Sequence, residues 1–118
     1  YLFRCPRSKL HGHVAHLAPL ITSCLQILHL DECNLTDDDI PDLIGILPAA
    51  HGLYRLKLSD NTFTVDKIDT LTAHLNDLPR LGCLDLTNVG PDAKHVKQVV
   101  LRNLSQMKET EVGIFMTK

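Results

Sequence analysis

Three histidines near the amino terminus have the residue type and spacing closest to those of a metal site. His11, His13 and His16 lie close together in the sequence, and Cys5 is nearby. Imidazole and thiolate are the ligands that zinc and copper prefer. However, side chains two positions apart on a helix point to different sides, and gaps of two and three form no His-x-x-x-His pair. We therefore expect histidines on a solvated helix face, with no metal site and no cofactor.

Four aspartates form the densest run of charge, at Asp37, Asp38, Asp39 and Asp42. Carboxylate clusters bind calcium when they follow the D-x-D-x-D-G pattern and end on a glutamate twelve positions after the first aspartate. Neither condition is met here. Carboxylates in the first turn of a helix instead complement the helix dipole, at about 0.3–1 kcal/mol each. The run therefore predicts a helix start and no calcium loop.

No catalytic constellation stands out in the chain. It has no glycine-rich phosphate loop and no sign of paired carboxylates that share an apolar pocket, so we predict that the protein is not an enzyme. The net charge of −2 gives no electrostatic footprint for nucleic acid or anionic lipid. No apolar run reaches the length of a membrane span. We therefore expect neither a nucleic-acid nor a membrane partner.

Leucines repeat along the chain at a fixed distance of 28 residues. The longest column is Leu2, Leu30, Leu58, Leu86 and Ile114, and two further columns are Leu28, Leu56, Leu84, Val112 and Leu25, Leu53, Leu81. A period of this length indicates stacked supersecondary units, because one such unit cannot bury its apolar face alone. The period predicts a scaffold that offers surfaces for binding.

Each unit begins with a strand pattern. Leu28 and Leu30 alternate with Ile27, His29 and Asp31, which is the period-2 pattern of a half-buried strand. When units stack, the residues between the leucines form parallel outward rows. Three rows and a rim are predicted: Ile27, Arg55, Cys83; His29, Lys57, Asp85; Asp31, Ser59, Thr87; and Glu32, Asp60, Asn88. In the following turn, Cys5, Cys33 and Asn61 are placed to bond exposed backbone groups.

Helix starts follow at Ser8, Thr36, Thr64 and Asp92, which are residue types preferred at N-caps. Apolar residues at helical spacing come after each of them. Pro19 should end or kink the first helix early. Pro41 suits a start at Asp39 better than a start at Thr36, and this boundary is left open.

Three segments carry a family resemblance. Residues 25–35, 53–63 and 81–89 resemble the leucine-rich repeat consensus L-x-x-L-x-L-x-x-N/C-x-L, in the ribonuclease-inhibitor type with its 28-residue unit. This resemblance implies an α/β leucine-rich repeat solenoid, a horseshoe arc with parallel strands on the concave face and helices on the convex face. It implies about four 28-residue repeats and a fifth strand near residues 111–116. Residues 1–118 would form one domain, a fragment of a longer array.

The chain is most similar to the C-terminal repeat arrays of NOD-like receptors. That similarity implies a cytoplasmic protein-recognition module in innate immune signalling, used for ligand sensing or autoinhibition. The partner would be a protein on the concave face, or other domains of the parent protein, and the fragment itself could associate end to end. The binding candidates are Ile27, His29, Asp31, Glu32, Arg55, Lys57, Ser59, Asp60, Cys83, Asp85 and Thr87. Two alternatives are a cytoskeletal or signalling adaptor, and a GTPase-activating repeat protein with Arg7 or Arg80 on a loop rim.

The first prediction concerns the four cysteines. Cys5 and Cys33 belong to the turn column, which such repeats fill with buried free thiols, and reduced cysteines are typical of the cytosol. We therefore expect no intrachain disulfide. Alkylation of the unfolded protein without reductant, followed by mass spectrometry, should find all four thiols modified. A pair of unmodified cysteines would refute the prediction.

Overall fold

Alternating leucines build a single parallel sheet in the computed structural model, which describes residues 2–4, 11–90 and 93–104. The central residues of three strands, Leu28, Leu56 and Leu84, are fully buried. The strands pair in chain order. They are β1 (Leu2–Arg4), β2 (Ile27–His29), β3 (Arg55–Lys57) and β4 (Cys83–Asp85).

Helical segments return the chain between strands, as parallel pairing requires. α2 shows why they fold, since Ile68, Leu71 and Leu75 recur at helical spacing and all three are buried in the common core. α2 also contacts α3, where the Asn103 side-chain amide donates to the Asp69 carbonyl at 3.0 Å. The helices are α1 (Ile40–Ile46), α2 (Val65–Leu75) and α3 (Ala93–Asn103), with shorter 3₁₀ helices at Val14–Leu20, Asp37–Asp39 and Leu47–Ala49.

The start of the second helical segment settles the open boundary. Thr36 does act as an N-cap, because its hydroxyl accepts the Asp38 N–H at 3.4 Å while the Asp39 carboxylate accepts the Thr36 N–H at 2.9 Å. This capping box opens a 3₁₀ turn. α1 then begins at Ile40, with Pro41 in its first turn, where a missing N–H costs nothing. Both proposed starts are therefore used, one after the other.

The start of α2 differs from the prediction. Thr64 occupies the cap position, but its side chain accepts no helix N–H. Its hydroxyl instead donates to the Asp37 carboxylate at 2.9 Å, and its backbone N–H donates to the same carboxylate at 2.8 Å. The Asp37 carboxylate, which comes from the preceding unit, thus stabilises the start of α2 by accepting both the N–H and the hydroxyl of Thr64. The predicted caps at Ser8 and Asp92 lie outside the described residues.

Asn61 occupies the predicted turn position and holds two neighbouring turns together. It is buried, and its side-chain oxygen accepts the N–H groups of Cys33 at 3.1 Å and of Leu35 at 2.9 Å. Its amide nitrogen donates to the carbonyls of Leu30 at 2.9 Å and Leu58 at 3.0 Å. The prediction that this side chain bonds the backbone of its own turn and of the neighbouring turn is confirmed.

The predicted leucine-rich repeat solenoid, a horseshoe arc of about four 28-residue repeats, is wrong. Leu2 pairs with Ile27, three residues short of the Leu30 that the period requires, so only β2, β3 and β4 keep the 28-residue register. The described chain forms a compact α/β body with extents of 34 × 27 × 20 Å and a radius of gyration of 12.8 Å. That radius is close to the ~13 Å expected for an ordinary globular domain of about 100 residues.

The first unit also departs from the prediction in its helix. Among its described residues it contains the 3₁₀ helix Val14–Leu20, with Pro19 inside it, where an α-helix was expected. The leucine period therefore describes local pairing and does not determine the overall shape. The fifth strand expected near residues 111–116 lies outside the described residues.

The Asn61 bonds lead to a stability prediction. Asn61→Ala should lower the free energy of unfolding by about 2–4 kcal/mol, because it leaves the buried N–H groups of Cys33 and Leu35 without an acceptor. Urea unfolding measures this change. Gln98→Ala removes a side-chain amide from an exposed position on α3 and should change stability by less than about 0.5 kcal/mol. Equal effects of the two substitutions would contradict the role given to Asn61.

Candidate functional site

The outward side of β2, β3 and β4, called the sheet face below, carries the first two predicted rows. Parallel pairing places residues 28 positions apart side by side, at about 4.8 Å between strands. The strand register confirms the two rows, which are Ile27–Arg55–Cys83 and His29–Lys57–Asp85. Arg55 is exposed, and the other five are half-buried among their neighbours.

The third predicted row lies just beyond the strand ends. Backbone bonds continue the register there, since the Glu32 N–H donates to the Ser59 carbonyl at 3.0 Å and the Asp60 N–H donates to the Thr87 carbonyl at 3.0 Å. Asp31 and Thr87 are half-buried, but Ser59 is only 4% exposed. Ser59 therefore offers a partner almost no surface, although the other two members of this row remain accessible.

The rim of the sheet face has left-handed backbone at each of its three residues. Glu32, Asp60 and Asn88 have φ angles of 54°, 60° and 58°. Asn and Asp tolerate this region better than other residues with a side chain, whereas for Glu it is uncommon. The Asn88 side-chain amide donates to the Asp60 carboxylate at 3.0 Å. All three side chains are exposed, so the turn holds a polar and mostly acidic edge above the strands.

Two cations occupy the centre of the sheet face. Arg55 and Lys57 lie two positions apart on β3 and so share one side of the sheet. Among the described residues, neither forms an ion pair. The Asp85 carboxylate on the neighbouring strand β4 accepts the Thr87 N–H at 3.0 Å, so one of its oxygens is already hydrogen-bonded within its own turn. Tyr54 precedes Arg55, is 41% exposed and is the aromatic side chain nearest the rows in sequence.

The three histidines do not converge on one point. His13 and His16 lie side by side, with ring centroids 5.4 Å apart. His11 precedes the 3₁₀ helix, and its Nδ1–H donates to the Asp39 carboxylate at 2.8 Å. His11 is therefore exposed, as predicted, but lies in a turn before the helix and not on a helix face. Within the described residues, no group of three His, Cys, Asp or Glu side chains is arranged to hold a metal ion.

Asp39 is the centre of a cluster that the sequence reasoning missed. Its side chain is 1% exposed, and it accepts the Gly12 N–H at 2.8 Å and the Thr36 N–H at 2.9 Å besides His11. A buried carboxylate is stable only with such partners. One signal was available, because His11 and Asp39 are 28 positions apart, which is the leucine period. The cluster fastens the first unit to the start of α1.

The two ionisable groups of this cluster shift in opposite directions. The pKa of His11 lies above its ordinary 6.5, chiefly because of the hydrogen bond to Asp39 and then because of that carboxylate's charge. For Asp39, burial acts in the direction of a higher pKa, because it disfavours the charged carboxylate. The hydrogen bonds from Gly12, His11 and Thr36 outweigh burial and leave the pKa below its ordinary 3.8.

The other members of the aspartate run have separate positions. Asp37 caps α2 through Thr64, whereas Asp38 and Asp42 are exposed. The aspartate run therefore begins a helix, as predicted, and also makes two contacts between units, Asp37 to Thr64 and Asp39 to His11. Of the two arginines considered for a GTPase-activating role, Arg80 is exposed in the connection between α2 and β4, and Arg7 lies outside the described residues.

Comparison with known protein families identifies no matching family model for this chain. In the described ranges, every helix is too short or too polar to cross a membrane.

The His11–Asp39 pair leads to a prediction about pH. A raised histidine pKa adds stability that is present below pH 6.5 and is lost as pH rises through the folded-state value. A lowered aspartate pKa adds stability that is present above pH 3.8 and is lost as pH falls through the folded-state value. The stability difference between wild type and His11→Ala should therefore be largest between about pH 4 and 6.5. Urea unfolding across pH measures it.

A matched control for this profile is His13→Ala, because the His13 ring lies beside His16 and not beside Asp39. This substitution should not reproduce the maximum. A constant difference between wild type and His11→Ala from pH 4 to pH 8 would exclude the pair as a source of stability.

Proposed function

We propose that this chain is a protein-recognition module that binds its partner through the sheet face and the adjoining rim. The observation that carries the proposal is the pair Arg55 and Lys57, which lie on one side of β3, exposed and half-buried respectively, and form no ion pair among the described residues. Charges held on a rigid sheet in fixed register are suited to recognising a complementary pattern.

The charge pattern also indicates the chemistry of the partner. The cations at the centre are bordered by Asp85 on β4, by Asp31 just beyond the end of β2, and by Glu32 and Asp60 at the rim. A complementary surface has carboxylates at its centre and Lys or Arg around them. Such patterns set specificity and association rate more than total affinity, and like charges in the wrong register repel. The partner is therefore a folded protein surface with charges of both signs.

We further propose a regulatory role in the cytoplasm, as a sensor or an autoinhibitory cover. Residues 25–35, 53–63 and 81–89 support this role, because they resemble the leucine-rich repeat consensus and the chain as a whole is similar to the repeat arrays of NOD-like receptors. The thiol of Cys33 supports the location, because it is fully buried, is not part of a disulfide, and donates to the Asp31 carbonyl at 3.4 Å. A buried cysteine outside any disulfide suits a reducing compartment.

The proposal predicts the effect of charge reversal at the sheet face. Arg55→Glu combined with Lys57→Glu should weaken partner binding by about thirtyfold. Each reversal removes an attraction of about 0.5 kcal/mol and adds a repulsion of about 0.5 kcal/mol, so the two together cost about 2 kcal/mol. Quantitative cross-linking and capture from cytosol identifies the partner. Titration of the purified partner against both proteins by calorimetry then gives the affinities.

The matched control is Lys67→Glu with Lys94→Glu, which makes the same change in net charge on α2 and α3. Its affinity should remain close to that of wild type, and all proteins should have the same circular dichroism spectrum. Equal weakening by both double variants would mean that the loss of affinity comes from the change in net charge alone. Unchanged binding by the Arg55/Lys57 variant would exclude the sheet face as the binding site.

A further inference from the structure

A groove lies beside the starts of α2 and α3, away from the strand rows. It encloses about 440 Å³, and its walls include Phe63, Val65 and Val96. This volume falls in the range of about 300–1,000 Å³ that is typical of ligand-binding clefts with apolar walls and a few polar groups. None of these residues belongs to the sheet face, so the groove is a separate surface.

Local contacts keep this groove formed without a ligand. On one side, the Asp37 carboxylate fixes the start of α2 through both polar groups of Thr64. On the other side, a Cβ atom at Gly90 would lie 2.9 Å from the Phe63 carbonyl oxygen. Only glycine allows the backbone to approach this closely, so the wall at Gly90 follows from the residue type. The groove is therefore pre-organised.

The charge at the groove is negative. Asp38 is exposed and Asp37 half-buried at one lip, and the described residues that line the groove include no Lys, Arg or His. A second cavity of about 320 Å³ shares Thr62 and Gly90 with the groove and is also lined by Asp60. The two cavities form an elongated track with carboxylates towards both ends.

We propose that this groove binds a short segment of a partner protein in which a large apolar side chain is flanked by Lys or Arg. The apolar side chain enters between Val65 and Val96, and the cationic groups pair with the carboxylates at the lips. The elongated track suits an extended peptide better than a compact ligand. This inference does not rest on the function proposed for the sheet face, because the residues that line the groove, among them Phe63, Val65 and Val96, do not belong to that face or to its rim.

The probes are three short peptides, added to ¹⁵N-labelled protein and followed in two-dimensional NMR spectra. The first is acetyl-Lys-Leu-Arg-Phe-amide, the second replaces both cations by Glu, and the third replaces both apolar residues by Ser. The first peptide should shift the backbone amides of Thr64, Val65 and Gly90, and the other two should not. No shift with the first peptide at about 1 mM, or equal shifts with all three, would overturn the proposal.

Two variants with the same charge change locate the binding. Asp38→Lys reverses the exposed lip without breaking the Asp37 bonds, and it should weaken the first peptide about fivefold. Asp77→Lys reverses an exposed charge just after α2 and should leave the affinity unchanged. Equal affinity of Asp38→Lys and wild type would refute the groove. Loss of binding in the Arg55/Lys57 variant, with Asp38→Lys unaffected, would place the peptide on the sheet face instead.

Discussion

The buried side chain of Asn61 is the constraint on which the arrangement of the strands and turns depends. Parallel strands leave the sheet at one edge, and their turns bury backbone groups that water cannot reach. Asn61 lies between two such turns and bonds to the backbone of both. At the equivalent position of the next unit, Val89 has no polar group in its side chain, and in the preceding unit the Cys33 thiol donates to the Asp31 carbonyl at 3.4 Å.

Carboxylates extend these connections from the turns to the helix starts. Asp39 binds backbone of the first unit at Gly12, and Asp37 binds backbone of the third at Thr64. Each is a charge-assisted bond to an otherwise unpaired N–H, which is stronger than a bond between neutral groups. The same residues that appear in the sequence as a solvated acidic run thus join three successive units. The remaining members, Asp38 and Asp42, are exposed to solvent.

The sequence predicted what depends on periodicity and missed what depends on local helix type or on side chains from another unit. Leu28, Leu56 and Leu84 predicted the pairing of three strands, because identical spacing puts identical side chains in one core column. The pairing of Leu2 with Ile27 and the 3₁₀ helix Val14–Leu20 both depart from what the leucine period predicted. His11 is a similar case, because its carboxylate partner comes from a different unit.

The candidate binding residues divide in the same way. Rows such as His29–Lys57–Asp85 follow directly from the spacing of the leucines. The left-handed backbone at Glu32 does not, because residue preference disfavours it there and the turn geometry imposes it. The groove beside Val65 was also missed, since a cleft arises from how two helix starts approach each other and has no pattern of its own in the chain.

Area limits how the sheet face can be used. Strands are about 4.8 Å apart and alternate residues about 6.8 Å apart along a strand, so six outward positions cover only about 200 Å². A stable protein complex buries about 800 Å² on each partner. The sheet face therefore cannot supply a standard interface alone, and a partner that binds tightly must also cover the rim. From the rim, Asp60 and Asn88 border the cavity that leads into the groove. A protein seated on the cations of β3 would thus reach the acidic lips with its own basic residues, so that the two surfaces would act as parts of one extended interface.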